Sequence, residues 1–277
     1  MRSWRGSICI ETRRERGSTR LSALQHEGPL RIQRPFSQDD GSCHIYLIHP
    51  PGGVVGGDAL FVEFEGHENT NTLITSSAAS KFYSCEAGLP KQHISQNLTV
   101  NKGSLLEWVP HENIFFEGSK TELHNKIMMS NESRFFGWEI MVLGRLESDK
   151  TSFGGTLRSA TTITKNDRLI HRDFFEYSPG MDRCSWGLNG QRVIGSLIAT
   201  SAYIEDDEFA RLFSDIKKKL GSSSFGATRK KGLFLLRYLG SSVEECKNGF
   251  NAARDALHQS EALMFGCHGV RPRIWNY

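Results

Sequence analysis

Apolar residues recur along this chain at two spacings, and the change from one to the other divides it. Through most of its length they alternate with polar residues or gather in runs of four to six, the pattern of β-strands. Ile8 and Ile10, Leu21 to Leu24, and Leu30 with Ile32 predict two short strand pairs near the N-terminus. Ile45-Tyr46-Leu47-Ile48 reads as a buried strand and Leu60-Phe61-Val62-Glu63-Phe64-Glu65 as an alternating one. Further strands are predicted around Leu73-Ile74, 98–100, 105–109, 114–116, 126–129 and 138–143, then at 156–163, 169–175 and 193–203. Turn residues separate them, among them Asn101-Lys102-Gly103, Asn166-Asp167 and Asn189-Gly190. Strands this closely spaced argue for a mainly β protein rather than a βαβ one.

The period lengthens late in the chain. Phe209, Leu212, Phe213, Ile216 and Leu220 lie on one face of a helix predicted over 206–220. Its acidic start (Asp206, Asp207, Glu208), basic end (Lys217, Lys218, Lys219) and following Gly221 suit the helix dipole and a C-terminal glycine stop. A second helix is predicted over 243–265, with Ser242 and Glu245 as a capping box and Phe250, Ala253, Leu257 and Leu263 on its apolar face. Between the helices, Gly232 to Leu239 reads as a buried strand with one charge, Arg237.

Composition narrows the function. The 277 residues are 38% hydrophobic, enough for a substantial core, and the net charge of +3 does not suggest a nucleic-acid surface. No uncharged run approaches the roughly 18 residues that span a membrane. Six scattered cysteines without a CxxC pair fit a reduced, cytoplasmic protein better than a disulfide-stapled one. The Arg-rich N-terminus, interrupted by Glu11 and Glu15, has no apolar segment behind it, so a transit peptide is weakly supported.

The densest feature is His49-Pro50-Pro51-Gly52-Gly53-Val54-Val55-Gly56-Gly57-Asp58. It is a tight connection between strands or a functional loop with Asp58 at its exit. No Lys-Ser/Thr follows the glycines and no helix is predicted after them, which removes the phosphate-loop and dinucleotide readings. No G-x-S-x-G elbow occurs. Cys43-His44 and Cys267-His268 lack the spacing of a zinc site, and neighbours on a strand face opposite ways. Ser76 to Ser80 is a small, hydroxyl-rich tract, either close-packed or kept small so that something can pass. Asp58, Glu107, Glu139 and Asp173 are carboxylates on or beside predicted strands, where a charge is seldom buried without a partner. Pairing of Glu139 with Arg145 is the expected arrangement. A hydrolase using Asp58 or Glu139 as general base is the alternative enzymatic reading.

Several segments together resemble the urease accessory protein UreD (UreH) family. They are 28–36, His49 to Leu60, Ala78-Ala79-Ser80-Lys81-Phe82-Tyr83, Leu106 to Glu112 with Trp108 inside it, Trp138 to Arg145 with Gly144, and Arg271 to Trp275. They run in order over nearly the whole chain. Ser80, where the family typically has Thr, His111, where it often has Gln, Asp173, where Glu is expected in some members, and the stretch 178–192 depart from the pattern.

The resemblance implies a single domain over 1–277, a stacked, β-helix-like arrangement of short strands with two α-helices in the C-terminal third. It implies a non-enzymatic, cytoplasmic maturation scaffold that binds apo-urease and UreF, reaches the GTPase UreG through UreF, and helps deliver nickel. A dimeric accessory complex is compatible with it, and neither membrane nor nucleic acid is implied. It also implies only weak, transient nickel contacts and no closed metal site. Asp58, Ser80, Glu139 and Asp173 are the expected route residues. Pro51, Gly52, Gly53, Gly56, Gly57, Lys81, Tyr83, Trp108, Gly144 and Arg145 are the expected structural motif.

Overall fold

The computed structural model describes residues 3–146, 153–200, 206–220, 224–230, 232–259 and 269–276. The first strand, β1 (Arg5–Glu15), turns at Arg16-Gly17 into β2 (Ser18–Glu27). This is one long hairpin where the apolar spacing predicts short pieces. Its outward residues are almost all polar, so apolar spacing alone underestimates its length. Two short strands follow, β3 (Arg31–Ile32) and β4 (Phe36–Ser37).

From there the chain visits two sheets by turns. The first sheet takes β6 (Ala59–Gly66), β9 (Gln92–Val100), β12 (Lys120–Met129), β14 (Thr156–Lys165) and β15 (Arg168–Tyr177). The second takes β5 (Cys43–Ile48), β7 (Asn71–Ser76), β10 (Leu105–Trp108), β13 (Arg134–Leu143) and β16 (Val193–Thr200). It also takes β17 (Phe225–Lys230), β18 (Leu233–Gly240) and the short β8 (Ser80–Phe82) and β11 (Asn113–Phe115). The seven-stranded sheet runs β15-β14-β12-β9-β6-β1-β2, and the eleven-stranded sheet runs from β17 through β13 to β3. In the middle of both sheets successive strands are parallel, as in a stack of coils with one strand per coil in each sheet. Antiparallel hairpins, β1–β2 and β14–β15, finish the first sheet at both edges. The β-helix-like expectation is met, with open rather than closed sheets.

Two helices cover the second sheet. The first, α1 (Asp206–Leu220), has the predicted bounds, and Ile216 is its buried anchor with Phe213 against it. The second, α2 (Val243–Gln259), begins as predicted; the expected continuation over 260–265 lies outside the described residues. The backbone N–H of Glu245 donates to Ser242 Oγ at 3.1 Å, the N-cap half of the predicted box. The reciprocal half is relayed, because the Tyr238 hydroxyl donates to Glu245 at 2.6 Å and accepts from the Ser242 N–H at 3.3 Å. Gly195 lets α2 lie against β16, since a Cβ there would fall 2.5 Å from Cys246 Sγ and 2.8 Å from Phe250.

Three layers give two cores. Ile8, Ile10, Phe64, Leu98 and Ile127 meet Ile45, Ile74, Leu106, Phe135 and Met141 between the sheets. Phe136, Trp138, Val142, Leu236 and Tyr238 meet Cys246, Phe250 and Leu257 beneath the helices. Strands of the second sheet are thus apolar on both faces, whereas β9 and β12 alternate because their outer face meets solvent. Fully burying a side chain such as Phe250 contributes roughly 1.5–3 kcal/mol. Among the described residues, no helix is long and apolar enough to cross a membrane.

Candidate functional site

In-register parallel strands set equivalent residues side by side, so each step along the stack is a ladder of one chemical character. One such ladder in the first sheet is apolar: Ile10, Phe64, Leu98, Ile127 and Ile163 are successive partners. Two residues earlier on each strand the same face changes. Val62 is followed across the sheet by Gln96, Asn125, Thr161 and Asp173. Opposite them in the second sheet stand Glu139, Ser196 and Arg237, again successive partners. A polar seam therefore runs through the inter-sheet core.

A cavity of about 410 Å³ lies along this seam. Its polar lining includes Gln96, Asn125, Glu139, Thr161 and Ser196, and its apolar walls include Leu98, Trp108, Leu123 and Phe135. Glu139 accepts from Ser159 Oγ at 2.7 Å and from Asn125 Nδ2 at 3.4 Å. Burial raises its pKa, and Asp173 pushes the same way, against those hydrogen bonds and Arg237. Ser196 Oγ donates to Asp173 at 3.4 Å, and Asp173 pairs with Arg237 at 2.7 Å. Their side chains are 34% and 39% exposed, so the seam reaches solvent at that end.

The other end opens through the second sheet, which is interrupted at one level on successive strands. After β5 the chain leaves as His49 to Gly53; β7 and β8 are separated by Ser77-Ala78-Ala79; β10 and β11 are separated by 109–112. His49, Gly52, Ser76 to Ser80, Pro110 and Asn113 all line the cavity, and Gly52 and Ala78 are exposed. Burial lowers the pKa of His49, which favours its neutral, ligand-competent form. The small tract is thus the rim of an opening.

The interruption is braced from behind. Thr75 Oγ1 donates to Val109 O at 2.7 Å, Trp138 Nε1 to Pro110 O at 2.8 Å, and the His111 N–H to Ser76 Oγ at 2.9 Å. Lys247 of α2 pairs with Glu112 at 2.6 Å and touches His111 Nδ1 at 3.0 Å. Burial alone would raise the Glu112 pKa, but His111 and Lys247 hold it down at about 2.

The expected route residues part company here. Ser80 and Glu139 line the cavity, and Asp173 meets it through Ser196. Asp58 is buried and is not among the lining residues; its carboxylate accepts from the Trp4 N–H at 2.8 Å and the Val55 N–H at 2.9 Å. It closes the loop on itself and ties it to β1. The expected Glu139–Arg145 pair does not form: Glu139 faces the inter-sheet core, and the Arg145 guanidinium lies 5.4 Å from the centre of the Phe116 ring.

The motif residues shape the rim. Gly53 has no room for a side chain, since a Cβ would fall 2.1 Å from the Tyr83 ring. Tyr83 stacks on Phe116, and its N–H donates to Val54 O. The Val54 N–H donates to Lys81 O, and Lys81 and Trp108 line the cavity. Gly57 (φ 87°) donates to Pro90 O, and a Cβ at Gly56 would strike Cys85 Sγ. Gly144 (φ 75°) donates to Phe115 O, and Pro51 is exposed at the tip. Sequence reasoning missed Gln92, whose buried amide donates to Val54 O at 3.1 Å and Tyr83 O at 2.6 Å while accepting from Thr121. It also missed Gln96, Asn125 and Thr161. Their signal is a polar residue on the inward phase of an otherwise apolar alternation.

The fold is a stack of parallel coils with a polar cavity between its two sheets, flanked by helices. Residues 5–276 match the family described as UreD urease accessory protein. The chain is 34% identical over 279 residues to the urease accessory protein UreD of Saccharophagus degradans, covering 99% of this chain and 93% of that one. It is 34% identical to UreD of Escherichia coli (98% and 96% covered) and 32% identical to UreD of Aliivibrio fischeri (98% and 96%). The chain belongs to the UreD family of urease accessory proteins. It is an accessory protein rather than an enzyme, and the hydrolase alternative falls with that.

Proposed function

We propose that this chain is a scaffold of urease maturation that binds apo-urease and UreF, reaches the GTPase UreG through UreF, and passes nickel along its inter-sheet cavity. The observation that carries this reading is the polar seam with Glu139 at its centre, an opening at Ser76 to Ser80 on one side and the half-exposed Asp173–Arg237 pair on the other. Nickel is cargo. It accepts oxygen and imidazole ligands, and carboxylate, amide, hydroxyl and water along the seam offer it successive weak contacts. A closed thiolate and imidazole cage would hold the ion instead of releasing it.

The test is Glu139→Ala, co-produced with urease, UreF and UreG. Complex assembly is followed by co-purification and the nickel content of urease by mass spectrometry. The complex is expected to assemble while urease nickel falls. Full nickel loading by a normally assembled Glu139→Ala complex would falsify the passage.

A further inference from the structure

On the other face of the first sheet, away from the cavity, His93 of β9 and Glu122 of β12 are register partners on adjacent parallel strands. His124 lies two residues beyond Glu122, so all of these side chains point outward. Each can offer a ligand atom, and those atoms lie within 4.8 Å of one another. The imidazoles of His93 and His124 stand 5.3 Å apart, and Phe61 backs His93 at 5.8 Å. We propose that His93, Glu122 and His124 form a surface binding site for a divalent transition ion of the nickel, copper and zinc class.

The ligand set argues the ion. Two imidazoles and one carboxylate suit borderline divalent metals and are poor for calcium or magnesium, which want an all-oxygen shell. Lys91 sits 2.6 Å from Glu122 and is 46% exposed, so an arriving ion displaces a solvent-accessible ammonium. The sheet fixes the ligand spacing, which makes the site pre-organised. Three protein ligands leave coordination positions for water, so the site is exchangeable. Leu123, between two of the ligands, lines the cavity on the opposite face. The site is separate from the passage and does not depend on its function.

The experiment measures ion binding by the full chain in the absence of urease. Equilibrium dialysis with Ni²⁺ and Zn²⁺ gives stoichiometry, and Cu²⁺ electron paramagnetic resonance counts coordinated nitrogens. Glu139→Gln serves as the background, so that binding along the cavity is subtracted. In this background the Cu²⁺ spectrum should show two coupled nitrogens. His124→Gln alters an exposed side chain and should retain its far-ultraviolet circular dichroism. It should lose one nitrogen and weaken binding at least ~10-fold. Glu122→Gln should weaken binding with both nitrogens kept. Lys91→Ala should tighten it up to about 5-fold by freeing the carboxylate. Unchanged stoichiometry and an unchanged nitrogen pattern in folded His124→Gln overturn the site.

Discussion

Arg254 on α2 grips Glu107 on β10 through two bonds, Nε to Oε2 at 2.5 Å and Nη2 to Oε1 at 2.9 Å, with both side chains almost wholly buried. Burial alone would raise the Glu107 pKa, but Arg254 and His258 hold it down at about 2. Arg254 also donates to Gly269 O at 2.8 Å, which ties the C-terminal segment to the helix. Removing the guanidinium leaves a carboxylate in a dry site. Arg254→Ala should therefore cost about 3–5 kcal/mol. Replacing the pair with Glu107→Leu and Arg254→Met should cost less than the single change, because no charge is stranded. Urea unfolding midpoints of the single and double variants check this, and a double variant weaker than the single one refutes it.

His44 packs near that pair on the helix side of β5, and its Nδ1 takes no hydrogen bond among the described residues. Burial lowers its pKa from 6.5 to about 4, with Arg254 pushing down and Glu107 and Asp40 pulling up. The unfolded chain therefore takes up a proton near 6.5, while the folded site stays neutral until about 4. The stability tied to His44 is complete above about pH 7, is lost as the pH falls through 6.5, and levels off below 4. The full change is about 3 kcal/mol. His44→Leu removes this component. The difference in unfolding free energy between parent and variant, followed from pH 7.5 to 4.5, should shift steadily toward the variant. A difference that does not change with pH refutes the assignment.

Asp58 anchors a loop, whereas Asp173 lies beside the proposed passage, in a partly exposed pair with Arg237. Asp58→Ala strands the N–H groups of Trp4 and Val55 and should cost about 1–3 kcal/mol. Asp173→Ala breaks a partly exposed pair and should cost no more than about 1 kcal/mol. It should nevertheless reduce nickel loading of urease. Thermal unfolding of both variants, read beside the nickel content of urease produced with Asp173→Ala, tests this. An Asp173→Ala variant that is the less stable of the two, with urease normally loaded, contradicts the division.

Much of the fold was legible residue by residue. Asn166-Asp167 marked the β14–β15 hairpin, where both residues adopt positive φ (48° and 60°). The opposite facing of Cys43 and His44 followed from strand geometry, and Cys43 lies between the sheets while His44 faces the helices. The capping pair at Ser242 and Glu245 was legible, but the relay through Tyr238 was not, because the hydroxyl comes from the preceding strand. The site was legible only in part. Glu139 and Ser80 stood out as a strand-borne acid and a member of a small tract. Their companions Gln96, Asn125 and Thr161 are ordinary polar residues until register sets them in one ladder. His93 and Glu122 are likewise far apart in sequence and meet only because β9 pairs with β12.

The sequence by itself determined what is local: strand and helix periods, turn residues, caps, and a collinear set of motifs shared with the UreD family. These depend on neighbours a few positions away. The tertiary structure alone decided which polar residues share a face, that the interruptions of the second sheet align into an opening, and that Asp58 holds a loop while Glu139 faces a cavity. Those relations depend on strand register and layer order. In a stack of parallel coils, register and layer order join residues some thirty positions apart, a distance that local pattern does not span.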